Sequence, residues 1–285
     1  MKTVLITGGT DGIGRGIALS CLQKGCQVIA VGSSAEKGQR LMAEADFLGK
    51  GAQLTFLQAD LSLVSENRRI IKQVSNQVPN LDALVLCAAS LRPQKAYSET
   101  KEGHEFTFSL YYLSRYVLCF GLKELLEKSS NPLILNVCAP GMKGKVHWND
   151  IQMKEKYDGQ SAQFHGSRLN DLLGVSFTEK DSVKKIRYLL FNPMAARTPG
   201  AAKMGEGNPF MKVMMKLYYR LAGKDVEEIV ALLETLIHKL PASNSNGSGL
   251  YAYKLEQPVD LRMGTFEKED ARRLDEITAG MLHQI

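Results

Sequence analysis

The run Thr7-Gly8-Gly9-Thr10-Asp11-Gly12-Ile13-Gly14 places four glycines in eight residues. Such spacing permits a tight turn and lets backbone approach a ligand closely. A helix opening at Ile13 would aim free N–H groups and a partial positive charge at the same spot. That combination suits a pyrophosphate. The turn follows a short apolar strand and opens a βαβ unit, the context a dinucleotide site needs. A glycine-rich structural turn is the bland alternative. The end of the second strand bears on the choice of dinucleotide. An NAD site usually places an acid there for the ribose hydroxyls. This chain has Gly32-Ser33-Ser34, then Lys37. An acid would repel a 2′-phosphate, whereas small hydroxyls can donate to it. Arg15 and Lys37 add positive charge. The pattern favours NADP(H) over NAD(H), although the same serines also suit a loop with helix N-cap character.

These residues need a scaffold that brings strand ends together. Short apolar runs alternate with longer amphipathic ones. Strands are expected at Lys2–Ile6, Gln27–Val31, Leu54–Leu57, Leu81–Ala88, Pro132–Val137, Lys185–Phe191 and Leu250–Lys254. Helices are expected at Ile13–Leu22, Ala35–Phe47, Leu63–Val78, Lys101–Glu127, Ser161–Phe177, Met211–Leu221, Val226–Leu240 and Phe266–Leu282. The run Ser243–Gly249 reads as a loop. Repeated strand–helix alternation implies parallel strands with right-handed crossovers. The fold class is therefore α/β, a Rossmann-like doubly wound sheet of about seven strands with helices on both faces. Neither an internal repeat nor a linker divides the chain, so 1–285 is expected to be one domain. Within it, 1–200 is the dinucleotide-binding core, 201–223 covers the substrate, and 224–285 adds helices and a last strand.

Composition narrows the class. The chain has 285 residues, 44% apolar and 23% charged, with a net charge of +6. These values exclude a disordered, collagen-like or coiled-coil chain. The basic excess is spread out and does not demand nucleic acid. Five cysteines, an odd number without a C-x-x-C pair, argue against a disulfide framework and a zinc cluster. A reducing, cytoplasmic compartment is expected. No signal peptide or transmembrane segment is visible, because Leu110–Leu126 is broken by Arg115 and Lys123.

The spacing T-G-x-x-x-G-x-G resembles the short-chain dehydrogenase/reductase family, and the resemblance runs over roughly the whole chain. Glu102-Gly103-His104-Glu105-Phe106 is similar to the retinol dehydrogenase and protochlorophyllide reductase-like branch. The resemblance implies cofactor contacts at Gly8, Thr10, Asp11, Gly12, Ile13 and Gly14. It also implies Asp60 and Leu61 beside adenine. Cys87, Ala88 and Ala89 stand where the family has N-A-G. Pro193-Met194-Ala195-Ala196-Arg197-Thr198 looks like P-G-x-x-x-T, so Pro193, Ala195 and Thr198 are assigned to the cofactor, with Met194 in place of glycine. The family's usual arginine at position 33 is a serine here.

The family's chemistry uses a Tyr whose acidity is tuned by a Lys four residues later, a strand-end Ser and a helix Asn. The corresponding positions here are Phe164, Arg168, Ala139 and Tyr111. Phe164 has no proton to give, and Arg168 cannot act as a tunable ammonium. Arg168 can still donate to ribose or phosphate. Tyr157 offers an alternative register, but Ser161 rather than a basic residue follows four later. Remaining acids are Tyr111, Cys138 and His165. His165 should face away from Phe164, and Cys138 should point into the core. Tyr111 either donates a proton, orients substrate or merely fills the pocket.

The stretch Phe210–Tyr219 is rich in Met and aromatic residues. It suits a bulky apolar ligand, ordinary packing or contact with a membrane surface. Lys143, Lys145, Lys154 and Lys156 read as a solvated loop. The apolar face of Tyr112, Tyr116 and Phe120 fits either a homodimer or internal packing. Three functions stay open: an NADP(H) oxidoreductase with a non-standard proton donor, a catalytically inactive nucleotide-binding sensor or scaffold, and a non-redox cyclase or isomerase.

Overall fold

Parallel pairing between β1 (Thr3–Thr7) and β2 (Gln27–Gly32) sets Leu5 opposite Ile29. β1 also pairs in parallel with β4 (Ala83–Leu86), setting Leu5 opposite Leu84. The computed structural model describes residues 2–90, 93–142, 144–181, 185–200, 209–241 and 249–283, with backbone only at 209–212 and 215–216. The sheet continues through β3 (Leu54–Gln58), β5 (Leu133–Val137), β6 (Arg187–Asn192), β7 (Leu250–Lys254) and β8 (Gln257–Pro258). Its order is β3-β2-β1-β4-β5-β6-β7-β8. β8 was not expected; it is two residues long and pairs antiparallel with β7. Two residues offer too little alternation to register as a strand.

Strand alternation divides the core. Val4 and Ile6 join one cluster with Ile17, Leu41 and Ile229, from α1 (Gly12–Gln23), α2 (Ala35–Phe47) and α9 (Val226–Lys239). Leu5 joins the other cluster, with Ile70 and Leu172. That face carries α3 (Val64–Gln77), α7 (Gly159–Lys180) and α10 (Lys268–Leu282). Each fully buried Leu or Ile is worth roughly 1.5–3 kcal/mol of transfer free energy.

The expected helix over 101–127 is instead four pieces. Glu105 bridges Glu99 and caps α4 (Phe106–Phe108), its carboxylate accepting from Phe108 N–H at 2.5 Å. A π turn follows at Ser109–Leu113, closed by Ser114 N–H donating to Ser109 O. Then come α5 (Ser114–Gly121) and α6 (Lys123–Glu127). The π turn bulges the helix at Tyr111, a distortion frequent at functional sites.

Tyr112 and Tyr116 are buried under the chain's own α10. Tyr112 Oη lies 2.7 Å from Thr278 Oγ1, and Tyr116 Oη donates to Asp275 at 3.0 Å. Internal packing thus accounts for that apolar face. Residues 201–208 of the expected covering segment, Lys143 of the basic loop and Ser243–Ser248 lie outside the described residues. Lys145, Lys154 and Lys156 are exposed. α8 (Pro209–Ala222) occupies the Met/aromatic stretch. Among the described residues, no helix is long and apolar enough to cross a membrane, and no His/Cys/Asp/Glu cluster could hold a metal.

Candidate functional site

Strand order reverses between β1 and β4, so their carboxyl ends flank a crevice. A cavity of about 670 Å³ opens there. The glycine turn forms its floor. Gly8 has φ +64°, and a Cβ on it would stand 2.9 Å from Ala88 N. A Cβ on Gly14 would meet Gly8 O at 2.3 Å. Asp11 caps α1, its Oδ1 accepting from Gly12 N–H at 2.8 Å. The start of α1 thus lies on the cavity, with glycines at 8, 12 and 14 leaving its backbone open to a close approach. This cradle fits the diphosphate of a dinucleotide.

Gly8, Thr10, Asp11, Gly12, Ile13, Gly14, Ser33, Ser34, Lys37, Asp60, Leu61, Cys87, Ala88, Ala89, Pro193 and Thr198 all line the cavity. Thr198 packs on the turn, since a Cβ on Gly12 would meet its Cγ2 at 3.3 Å. Ser34 is also the N-cap of α2, accepting from Lys37 N–H at 3.3 Å. Lys37 Nζ pairs with the Asp11 carboxylate. Asp60 accepts from Ser62 N–H and Oγ at 3.0 and 2.7 Å, which stiffens the loop after β3.

Three expected contacts fall elsewhere. Ala195 is buried behind the wall, and its neighbours Met194 and Ala196 line the cavity instead. Arg15 is outside the lining and pairs with Glu44 at 2.6 Å. Arg168 is also outside it. Its guanidinium is buried and lies 3.6 Å from the Asp171 side chain, a neighbour that the motif spacing does not reveal.

The chemical end lies over the carboxyl end of β5. Ala139, Phe164 and Tyr111 line it together. Phe164 is 41% exposed. Tyr157 precedes α7, lies outside the lining, and donates to Glu105 at 2.8 Å. That placement supports Phe164 as the residue in the family's Tyr position. His165 faces away, with Nε2 3.0 Å from Ile151 O, and burial pushes it down to about 4. Cys138 belongs to the core and the cavity wall at once. Burial raises its thiol well above the usual range.

Tyr111 is the phenol of this end. Its hydroxyl sits 3.2 Å from Ser167 Oγ. Ser167 donates to Gln163 O at 3.1 Å, so its lone pairs are left to accept from Tyr111. Burial pushes the phenol up to about 12, with Cys138 adding and the Arg115 charge opposing. Tyr111 therefore stays protonated at neutral pH, with a hydroxyl hydrogen to donate.

Sequence reasoning missed what holds Tyr111. Arg115, one helical turn on, is 1% exposed, and its guanidinium carbon lies 4.6 Å from the Tyr111 ring centroid. It donates to Ala88 O at 3.1 Å, Val137 O at 3.0 Å and the Asn136 side-chain oxygen. Among the described residues, no carboxylate lies within 4 Å of it. The positive charge is thus shared between backbone carbonyls at the ends of β4 and β5 and an aromatic face. Asn170 donates to Tyr111 O and to Gly166 O, both at 2.8 Å. The serine of the family's own motif and the isolated helical Gly166 were the available signals.

A doubly wound sheet with a glycine cradle at its switch point defines a protein of the dinucleotide-binding α/β class. The model of the short chain dehydrogenase family matches residues 2–151, and the chain belongs to that family. In sequence it sits beside the retinol dehydrogenases. Retinol dehydrogenase 11 of Homo sapiens is 27% identical over 172 residues, covering 60% of this chain and 54% of that protein. A 3beta-hydroxysteroid dehydrogenase of Mediterraneibacter gnavus is 27% identical over 144 residues, covering 50% of this chain and 51% of that one. These matches span about half the length of the curated relatives. A short chain dehydrogenase from Salmonella enterica shares the fold, with a TM-score of 0.64 at 18% identity over 90% of this chain and 96% of that one. A Serratia marcescens short-chain dehydrogenase/reductase mutant gives 0.66 at 16% identity, over 89% and 95%.

Proposed function

We propose that this chain is an NADP(H)-dependent oxidoreductase for a bulky apolar substrate, with Tyr111 as its proton donor. The observation that carries this reading is the Tyr111–Ser167 hydroxyl pair, 3.2 Å apart, inside a cavity continuous with the glycine cradle. When bound, the cofactor supplies hydride at that end. Tyr111 turns its proton from Ser167 to a substrate oxygen or to the carbon of a polarised C=C bond that does not take the hydride. Arg115 beneath the ring steadies the charge that the phenol gains. Ser33, Ser34 and Lys37 are the groups to hold a 2′-phosphate, with Lys37 first released from the Asp11 carboxylate.

Phe106, Leu110, Met142, Phe164, Met194 and Tyr219 line the remaining wall, which favours an apolar ligand. Val213, Leu217 and Leu221 on α8 are exposed at one helical face, an apolar approach near Tyr219. The names of the similar proteins point to retinol and 3β-hydroxysteroids, also large and apolar.

A second reading is a nucleotide-binding protein without turnover. Phe164 in place of the usual tyrosine, with Arg168 held outside the cavity, favours it. Calorimetry with NADPH and NADH, followed by NADPH oxidation with apolar ketones and enones, separates the two. Binding with turnover supports the first reading, and binding with none supports the second. If neither nucleotide binds at millimolar levels, both are lost.

A further inference from the structure

α1 ends in a backbone arrangement that brings two cysteines together. Gly25 has φ +77°, the left-handed residue that follows many helices. Gly25 N–H donates to Leu22 O at 2.9 Å, and Cys26 N–H donates to Cys21 O at 3.0 Å. These two bonds make a Schellman motif, which places the side chain after the glycine against one in the last helical turn. That contact is usually between two apolar side chains. Here both positions are cysteine, so the turn sets one thiol beside the other. Both are free and partly exposed, whereas Cys119 and Cys138 are buried. Their surroundings carry both charges: Lys24 pairs with Glu234 at 2.5 Å, and Asp82 opposes the lysines at Cys26. Lys24 lies between them in sequence, and Lys2 and Lys24 both act on Cys26.

We propose that Cys21 and Cys26 form a reactive dithiol site that a peroxide converts to an intramolecular disulfide. The more exposed sulfur, Cys26, is the attacking one. The Cys21 thiol beside it, then Lys2 and Lys24, hold its thiol below the usual range against burial and Asp82. The thiolate, not the thiol, attacks peroxide. The Cys26 sulfur takes one peroxide oxygen, the O–O bond breaks, and hydroxide leaves. Cys21 sulfur then displaces hydroxide from the sulfenic acid, forming the S–S bond. The protons of both thiols end on the two departing oxygens as water. Two thiols and one hydrogen peroxide give one disulfide and two waters. The turn supplies the proximity that the second step needs, so sulfenic acid passes to disulfide before over-oxidation. The site lies at the far end of α1 from the glycine cradle and does not depend on the proposed oxidoreductase activity.

The test uses the reduced full-length protein and stoichiometric hydrogen peroxide. Intact mass should fall by about 2 Da and return with dithiothreitol, as two thiols become one disulfide. Trypsin cuts after Arg15, Lys24 and Lys37, so the disulfide should join peptides 16–24 and 25–37. Cys119 and Cys138 should stay reduced at that dose. Cys26→Ser should abolish the linked peptide. Cys21→Ala should leave a Cys26 sulfenic acid that dimedone traps. The proposal is overturned if the linked pair is absent from wild type, or if Cys26 of wild type gains only two or three oxygens. Equal oxidation of Cys21 in wild type and Cys26→Ser overturns it as well.

Discussion

Tyr111 and Gly166 occupy one space: a Cβ at position 166 would stand 2.6 Å from Tyr111 Cδ1. The missing side chain on α7 is what lets the π turn lay its ring against that helix. Adding a methyl group should therefore move the phenol before it unfolds the helix. Alanine in a helix interior ordinarily stabilises by about 0.5–1 kcal/mol over glycine. Overpacking by one methyl costs about 1–3 kcal/mol. Gly166→Ala is expected to lower stability by about 1–2 kcal/mol in urea unfolding, against the helix trend. NADPH affinity should hold within about twofold, because position 166 lies outside the nucleotide end. A stabilised variant would show that the ring has room to spare.

The Tyr111 hydroxyl separates catalysis from binding. Tyr111→Phe keeps the ring over Arg115 and removes only the proton. General acid catalysis contributes about 10²–10⁴-fold, so turnover should fall by at least about a hundredfold with nucleotide affinity unchanged. Ser167→Ala leaves the phenol in place but unaimed and should cost about tenfold, the scale of one net hydrogen bond. A Tyr111→Phe protein retaining half of wild-type turnover would remove Tyr111 from the reaction.

Met194 pays a backbone cost where the family keeps glycine. Its φ is +56° and its side chain is 49% exposed. Left-handed backbone costs an ordinary residue about 1–2 kcal/mol, and a glycine gives back about 0.5–1 in unfolded-chain entropy. Met194→Gly should leave stability equal or up to about 1 kcal/mol higher. Met194→Val, β-branched, should lower it by more than about 1 kcal/mol. Thermal or urea midpoints decide, and a valine variant as stable as the glycine one would contradict the strain argument.

Much of this was legible in the sequence because it rests on local pattern. The strands, read from short apolar runs, fall within about two residues of their observed ends, and Ala35–Phe47 agrees at both ends. The glycine turn and its neighbours line one cavity because their geometry is set within a few residues of chain. What failed depended on side-chain pairings that motif spacing and periodicity do not encode. Arg168 was expected beside a ribose, but its guanidinium lies 3.6 Å from Asp171 and outside the cavity lining. The helix over 101–127 was expected to be continuous, yet the Glu105 cap and the Asn170 bond to Tyr111 O accompany a π turn. Periodicity does not register a single inserted residue. Arg115, read only as a break in an apolar run, proves to be buried under Tyr111.

Asp171 and His165 set opposing pH slopes on stability. Burial pushes the Asp171 carboxyl up to about 7 and the His165 imidazole down to about 4. Unfolded, they titrate near about 3.9 and 6.5. Between pH of about 4 and 7, folded Asp171 keeps a proton that the unfolded chain gives up. Its contribution to stability is present at acid pH and is lost as pH rises. Between about 4 and 6.5 the unfolded chain protonates His165 and the folded one does not, so its contribution is lost as pH falls. Asp171→Asn should make stability fall more steeply on acidification than wild type, by up to about 1.4 kcal/mol per pH unit. His165→Gln should tilt the slope the other way. Urea midpoints at several pH values across this window test both signs. Two variants that keep the wild-type slope would show that neither group is titrating as its burial implies.

Lys37 reaches the dinucleotide end already paired. Its ammonium sits on the Asp11 carboxylate, the same group that caps α1. Binding a 2′-phosphate at Ser33 and Ser34 would pull Lys37 off that acid, and the acid itself repels the phosphate. Asparagine caps a helix as well as aspartate. Asp11→Asn therefore keeps the turn while releasing the lysine. An exposed pair is worth about 0.2–1 kcal/mol, which corresponds to about 1.5–5-fold in affinity. NADPH should bind Asp11→Asn tighter by that factor at low salt, NADH should not change, and the gain should shrink as salt screens the charges. Lys37→Ala should weaken NADPH alone. Equal effects of either substitution on both nucleotides would place the 2′-phosphate away from Lys37 and remove the charge argument for NADP(H).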